Sequence, residues 1–257
     1  MYRTRKSGGK IIGEMRMFAL ETGGLVIDWT QMPTYNTIMS LAAGAGLILL
    51  VLLGRALTSR EKFSAESWSL AAGVLGVILT LTGAHMTLTW PFAKYFPFDN
   101  IIFGETSLGL GVLLLAAAFY LWRRAAVIDV SDDVGALLAR TAQPLGVFIF
   151  GLGLALFAIA AAGVTFQLFA APPEEPISGA FAAYPWIEAI FMSGLFALVG
   201  VGAVLFPFAL RGFSSKARPG ALQIIVGFVW GLSGLAFLLF GALNFFTHIG
   251  LIVNTMG

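Results

Sequence analysis

Long apolar runs organise this chain. Six stretches, 37–57, 68–90, 101–122, 145–169, 186–210 and 224–249, contain no Lys or Arg apart from Arg55 near the end of the first, at the edge of the loop that follows. Each is close to the roughly 20 residues that a helix needs to cross the hydrocarbon core of a bilayer. The runs are continuous. The wall of a membrane barrel would instead alternate apolar and polar positions over about 10 residues. The pattern therefore predicts an all-α fold, a bundle of six transmembrane helices occupying 36–257. Residues 1–35 read as a basic tail and an interfacial segment. That tail is expected to lie outside, or to reflect a start upstream of the true one at Met15 or Met17.

The polar intervals between the runs add an orientation. Arg55, Arg60 and Lys62 lie in the first loop, Arg123, Arg124 and Arg140 in the third, and Arg211, Lys216 and Arg218 in the fifth. The second loop has only Lys94, and the fourth loop and the C-terminus have no Lys or Arg. By the positive-inside rule, loops one, three and five are expected to be cytoplasmic and the C-terminus outside, in a multi-pass protein of the cell membrane. The basic residues of 1–16 run against this alternation. In the third loop, Ser131-Asp132-Asp133 before the apolar run 134–138 predicts a short helix on the cytoplasmic surface, between helices three and four. Trp68, Trp90, Trp122 and Trp186 fall at run ends, where interfacial anchors belong.

Composition agrees with the pattern. Of 257 residues, 58% are hydrophobic and only 11% charged, with a mean hydropathy of +0.90. A soluble domain has about 25% charged residues, so this chain cannot cover a water-facing surface. The 31 glycines suit close helix packing, and no basic block is dense enough for nucleic acid. The absence of cysteine removes disulfides, thiolate nucleophiles and Cys-ligated metals. Gly73-x-x-Gly76 with Gly83-Ala84 recurs as Gly231-x-x-Gly234 with Gly241-Ala242, each after a tryptophan. Either the helix pairs one-two and five-six are duplicated or the match is chance among small residues.

Polar groups next to hydrocarbon-length segments need a reason. The only histidines, His85 and His248, are expected at similar depth near the outer ends of helices two and six. They could hold haem b axially, or a divalent metal with Glu105 as a further ligand. Asn244 shares a helix face with His248, and Thr82, His85 and Thr89 form a polar stripe. The plainer reading is hydrogen bonding between helices. Glu105 reads as a carboxylate favoured by the helix dipole or as a proton- or cation-handling group. Glu188, at the start of helix five, has the same two readings. Asp99 and Asn100 read as an N-terminal cap for helix three. Met39, Met86 and Met192 read as core or lipid-facing packing. No catalytic motif with a recognisable mechanism occurs, so an enzyme is the less favoured class.

Three strings add a resemblance. The segment 33–44 (PTYNTIMSLAAG), Gly83-Ala-His-Met-Thr-Leu-Thr-Trp-Pro91 and Asn100-Ile-Ile-Phe-Gly-Glu105 resemble a family of prokaryotic membrane proteins catalogued as domain of unknown function 981. The resemblance implies a bacterial or archaeal polytopic membrane protein, and it supplies no activity, cofactor or catalytic residue. Three functions stay open. One is a structural or accessory subunit packing against other membrane proteins or itself. The second is a haem- or metal-binding redox or sensory protein using His85 and His248. The third is a small-solute or proton-coupled transporter using Glu105.

Overall fold

The computed structural model of the chain describes residues 25–59 and 62–256. Among them all regular structure is helical: α1 (Asn36–Thr58), α2 (Ala65–Thr89), α3 (Thr106–Ile128), α4 (Val134–Ala142), α5 (Gly146–Phe166), α6 (Pro185–Ala209) and α7 (Ala221–Thr255). Six helical spans among the described residues are long and apolar enough to cross a membrane, with the short α4 joined to α5 in one of them. The expected 1–24 part of the basic tail lies outside the described residues.

Side chains are distributed as a bilayer requires. On α2, the large residues Leu70, Val74, Val77 and Leu81 are exposed. Their spacing of four, three and four places them on one helical face. The opposite face buries Ala72, Gly76 and Gly83. Water would make such an outward apolar face costly, whereas lipid does not.

Small residues close the bundle in antiparallel pairs. The most extensive packing joins α2 to α3, α5 to α6, and α1 to α7. A Cβ at Gly83 would lie 2.5 Å from Leu108 N, and one at Gly111 would lie 2.5 Å from Thr80 N. On the α1–α7 pair, a Cβ at Gly241 would lie 2.5 Å from Leu41 N, and Gly44 faces Leu238 N across the same seam. The two matched sequence spacings thus serve one device. Gly76 and Gly83 seat α3, and Gly234 and Gly241 seat α1. Further contact between α6 and α7, and lesser contact between α1 and α2, links the three pairs, while α3 and α5 touch only slightly.

The helix boundaries have local causes. α2 starts at Ser64, whose side chain accepts from Ser67 N, and ends at Trp90, a left-handed residue (φ 50) immediately before Pro91. Proline disfavours a right-handed helical residue before it, so the chain turns there. The expected cap of helix three needs correction. A π-helical turn, Asn100–Glu105, precedes α3, and Asp99 makes no capping hydrogen bond. Asn100 ties the loop instead: its Oδ1 accepts from Phe92 N at 3.3 Å and its Nδ2 donates to Pro97 O at 3.1 Å. Glu105 accordingly lies past the first turn, out of reach of the dipole role expected for it.

The short helix between spans three and four is present as α4. A single 3-10 turn containing Pro144 joins it to α5. Asp133 anchors it. Its Oδ1 accepts from Ala136 N at 2.9 Å and from Ser215 N at 2.8 Å, and its Oδ2 accepts from the Ser214 hydroxyl. These bonds, Ser214's first, hold its carboxyl down at about 2. Asp133→Ala removes a helix cap and a loop tie together. It is expected to cost about 1–2 kcal/mol in chemical unfolding. The wild-type advantage should persist above the ordinary aspartate range and fade as the pH falls toward 2. An unchanged unfolding midpoint at neutral pH would refute this role.

Candidate functional site

The three helix pairs do not fill the middle of the bundle. They enclose a cavity of about 510 Å³. Its wall is mostly aliphatic and aromatic: Leu47 and Leu50 of α1, Leu110 and Leu114 of α3, Ile149 of α5, and Phe196, Trp230 and Phe237 of α6 and α7. Trp230 is fixed by donating its Nε1–H to Val199 O at 3.2 Å. A second cavity of about 400 Å³ adjoins the first, shares Leu50, Leu138, Phe206 and Trp230 with it, and reaches Arg55. Ala116, Pro144 and Leu145 line the main cavity yet are exposed. Ala116 belongs to α3, and Pro144 and Leu145 to the turn leading into α5, two helices that touch only slightly.

One end of the main cavity is polar. Asn36 and Ser40 from α1 and Asn244 from α7 line it, with Thr106 from α3. Ser40 donates its hydroxyl to Phe237 O at 3.1 Å, and Thr106 donates to Ile102 O at 2.6 Å. The Oδ1 atoms of Asn36 and Asn244 are buried without a hydrogen-bond partner. A buried amide oxygen left unpaired costs about 1–3 kcal/mol, so such a group calls for a ligand or another explanation.

His248 lies directly behind this end. Its Nδ1 is 3.1 Å from Asn244 O, and its Nε2 is 3.4 Å from Asn36 Nδ2. Its Nδ1 is also 3.9 Å from Glu175 Oε1, in the loop between α5 and α6. Burial raises the Glu175 carboxyl above the usual glutamate range, against a lowering hydrogen bond from Thr247. That loop closes the histidine end together with the segment 25–35. Ile27 N donates to Thr255 O at 3.1 Å, Asn254 Nδ2 to Glu174 O at 2.7 Å, and Ala171 N to Glu188 Oε2 at 2.7 Å.

His85 is placed apart from His248. It is exposed, and its Nδ1 is 2.7 Å from the Tyr35 hydroxyl. Thr89 donates to His85 O at 2.7 Å, and Thr82 donates to Ile78 O at 2.7 Å, so both threonines bond back into α2. Tyr35 and Asn36 are adjacent residues that hold one histidine each, and α1 stands between α2 and α7. The two imidazoles therefore do not face one another across a space for a porphyrin, and the pair does not fit axial haem ligation. Glu105 is exposed, and Asp99 is partly exposed on the loop before α3. No group of three metal-ligating side chains occurs among the described residues. The structure brings together His248, Asn244, Asn36 and Glu175. It leaves His85, Thr82 and Thr89 on the far side of α1.

Sequence reasoning singled out Asn244 and His248 but passed over Asn36, Ser40 and Glu175. Asn36 and Ser40 are four apart at the start of the first apolar run, a spacing that shares a helix face. Which helix that face meets is decided only by the packing of α1 on α7. Met39, Met86 and Met192 are all buried in the packing, with 2%, 0% and 8% exposure.

A six-span helical bundle with lipid-suited outer faces and a closed polar end defines a helical membrane protein. The chain belongs to the DUF981 family of proteins of unknown function, whose family model matches residues 32–250. No curated protein and no solved structure matches it.

Proposed function

We propose that this protein is a multi-pass membrane protein that holds a lipid-like apolar molecule inside its bundle. The observation behind the reading is the cavity of about 510 Å³, mostly apolar, with exposed lining residues on α3 and on the turn into α5, which places a sideways opening between those helices. That volume falls within the roughly 300–1,000 Å³ of small-molecule sites. A sideways opening admits a molecule already dissolved in the bilayer. The loop charges support a cytoplasmic basic end and an outward histidine end.

The accessory-subunit reading finds less support, because the closest small-residue rows pack the chain's own helices against one another. The transporter reading through Glu105 has no contact of Glu105 with the cavity behind it.

The test is to fill the cavity. Ala43 of α1 and Ala117 of α3 line it from different sides. Wild-type protein purified in mild detergent is expected to carry an apolar ligand in near-stoichiometric amount, detected by solvent extraction and mass spectrometry. Ala43→Phe and Ala117→Phe should each fold and lose most of it. Equal ligand content in wild type and both filled variants would sink the reading.

A further inference from the structure

We propose that the ligand's head is an uncharged group bearing O–H donors, seated at the histidine end against Asn36 and Asn244. This rests on the cavity reading and adds the class of head and the direction in which it lies. Asn244 is 7% exposed, lines the cavity, and has an Oδ1 atom with no partner. Asn36 Oδ1 shares that state, while its Nδ2 is directed to His248.

This end is polar but carries no charged side chain. The Ser40 and Thr106 hydroxyl hydrogens already go to helix carbonyls. The groups left over are the two unpaired amide oxygens, the remaining lone pairs of those two hydroxyls, the Asn244 amide N–H groups and the Ser107 hydroxyl. A ligand that pairs either amide oxygen must bring a donor. A carboxylate or phosphate brings only acceptors, and no Lys or Arg lines the main cavity. An ammonium brings donors but needs a facing anion once it leaves water, and no Asp or Glu lines it either. Glu175 is held off behind His248. An alcohol donates its one hydrogen to one of the amide oxygens and accepts through its own oxygen, without burying charge. Its chain then runs toward Trp230 and the sideways opening.

The alternative position for a head is Arg55, in the adjoining cavity at the basic end. It would select an anion with the chain running the opposite way. The two positions make opposite predictions from the same hydrocarbon tail.

The experiment uses the full chain in phosphatidylcholine nanodiscs. Three photoreactive probes of equal length each carry a diazirine in the chain: hexadecanol, hexadecanoate and hexadecane. After illumination, peptide mass spectrometry compares labelling of the cavity residues Leu114 and Trp230 with that of the lipid-facing Leu81 and Phe228. The alcohol is expected to label the cavity about tenfold more than the acid or the alkane, the worth of one or two buried hydrogen bonds. Asn244→Leu should reduce the alcohol to the level of the alkane. Equal cavity labelling by alcohol and alkane would overturn the head assignment and leave the apolar cavity reading intact. Preference for the acid would overturn it in favour of Arg55. Labelling confined to Leu81 and Phe228 with all three probes would overturn the cavity reading itself. The probe series on wild type decides these outcomes even if Asn244→Leu fails to fold.

Discussion

Gly83→Val is expected to prevent α2 and α3 from closing on each other. The atoms that a Cβ there would meet are Leu108 N at 2.5 Å and Gly104 O at 2.9 Å, both backbone. Overpacking costs about 1–3 kcal/mol when neighbouring side chains can yield. Here a helix axis has to move, so the cost should reach the top of that range or pass it. Without water, two membrane helices are held by close contact and not by hydrophobic burial, so separating their axes removes the attraction itself. Gly151 and Gly194 supply the comparison, since a Cβ at either meets nothing within 4 Å. Gly151→Val and Gly194→Val should stay within about 0.5 kcal/mol of wild type, as surface substitutions do. Thermal or chemical unfolding in detergent reads the difference. Similar melting of Gly83→Val and Gly151→Val would show that the α2–α3 seam does not hold the fold.

Asp99→Asn should stabilise the protein at neutral pH by up to a few kcal/mol. Burial among apolar groups pushes the Asp99 carboxyl up to about 8 from its ordinary 3.8. The unfolded chain ionises this group as the pH rises past about 4, whereas the folded chain keeps it protonated until about 8. The unfolded state thus loses its proton first, and stability falls across that window and then levels off. Asn has the shape of the protonated acid and does not titrate. The two proteins should therefore unfold together near pH 4, and the variant should gain progressively up to pH 8. Part of Asp99 remains reachable by solvent, which trims the effect. A constant difference between variant and wild type across pH 4 to 8 would exclude the Asp99 titration as its source.

Both predictions rest on features that the sequence shows only in part. The glycines of α2 are visible, and so is their repetition in α7. Nothing in the spacing tells that Gly83 meets α3 while Gly241 meets α1. A seven-residue interval fixes which residues share a face, not which helix that face meets. His85 and His248 show the same limit. The runs set their depth near one end of the bundle, and both do lie there. Their separation by α1 follows from the order in which helices pack around the cavity.

The sequence by itself determined the class of fold, because a bilayer leaves a chain few choices. Runs long enough to cross hydrocarbon must be helical to satisfy their backbone, and they can be counted one by one. It also determined the helix start at Asp133, since a cap is a contact between near neighbours. Only the tertiary structure decided the site. The cavity is space left between three helix pairs, and no single helix contains it. Asn36 and Asn244 stand far apart in the chain, and they share one unsatisfied polar end only because Gly44 and Gly241 let α1 and α7 approach at backbone distance.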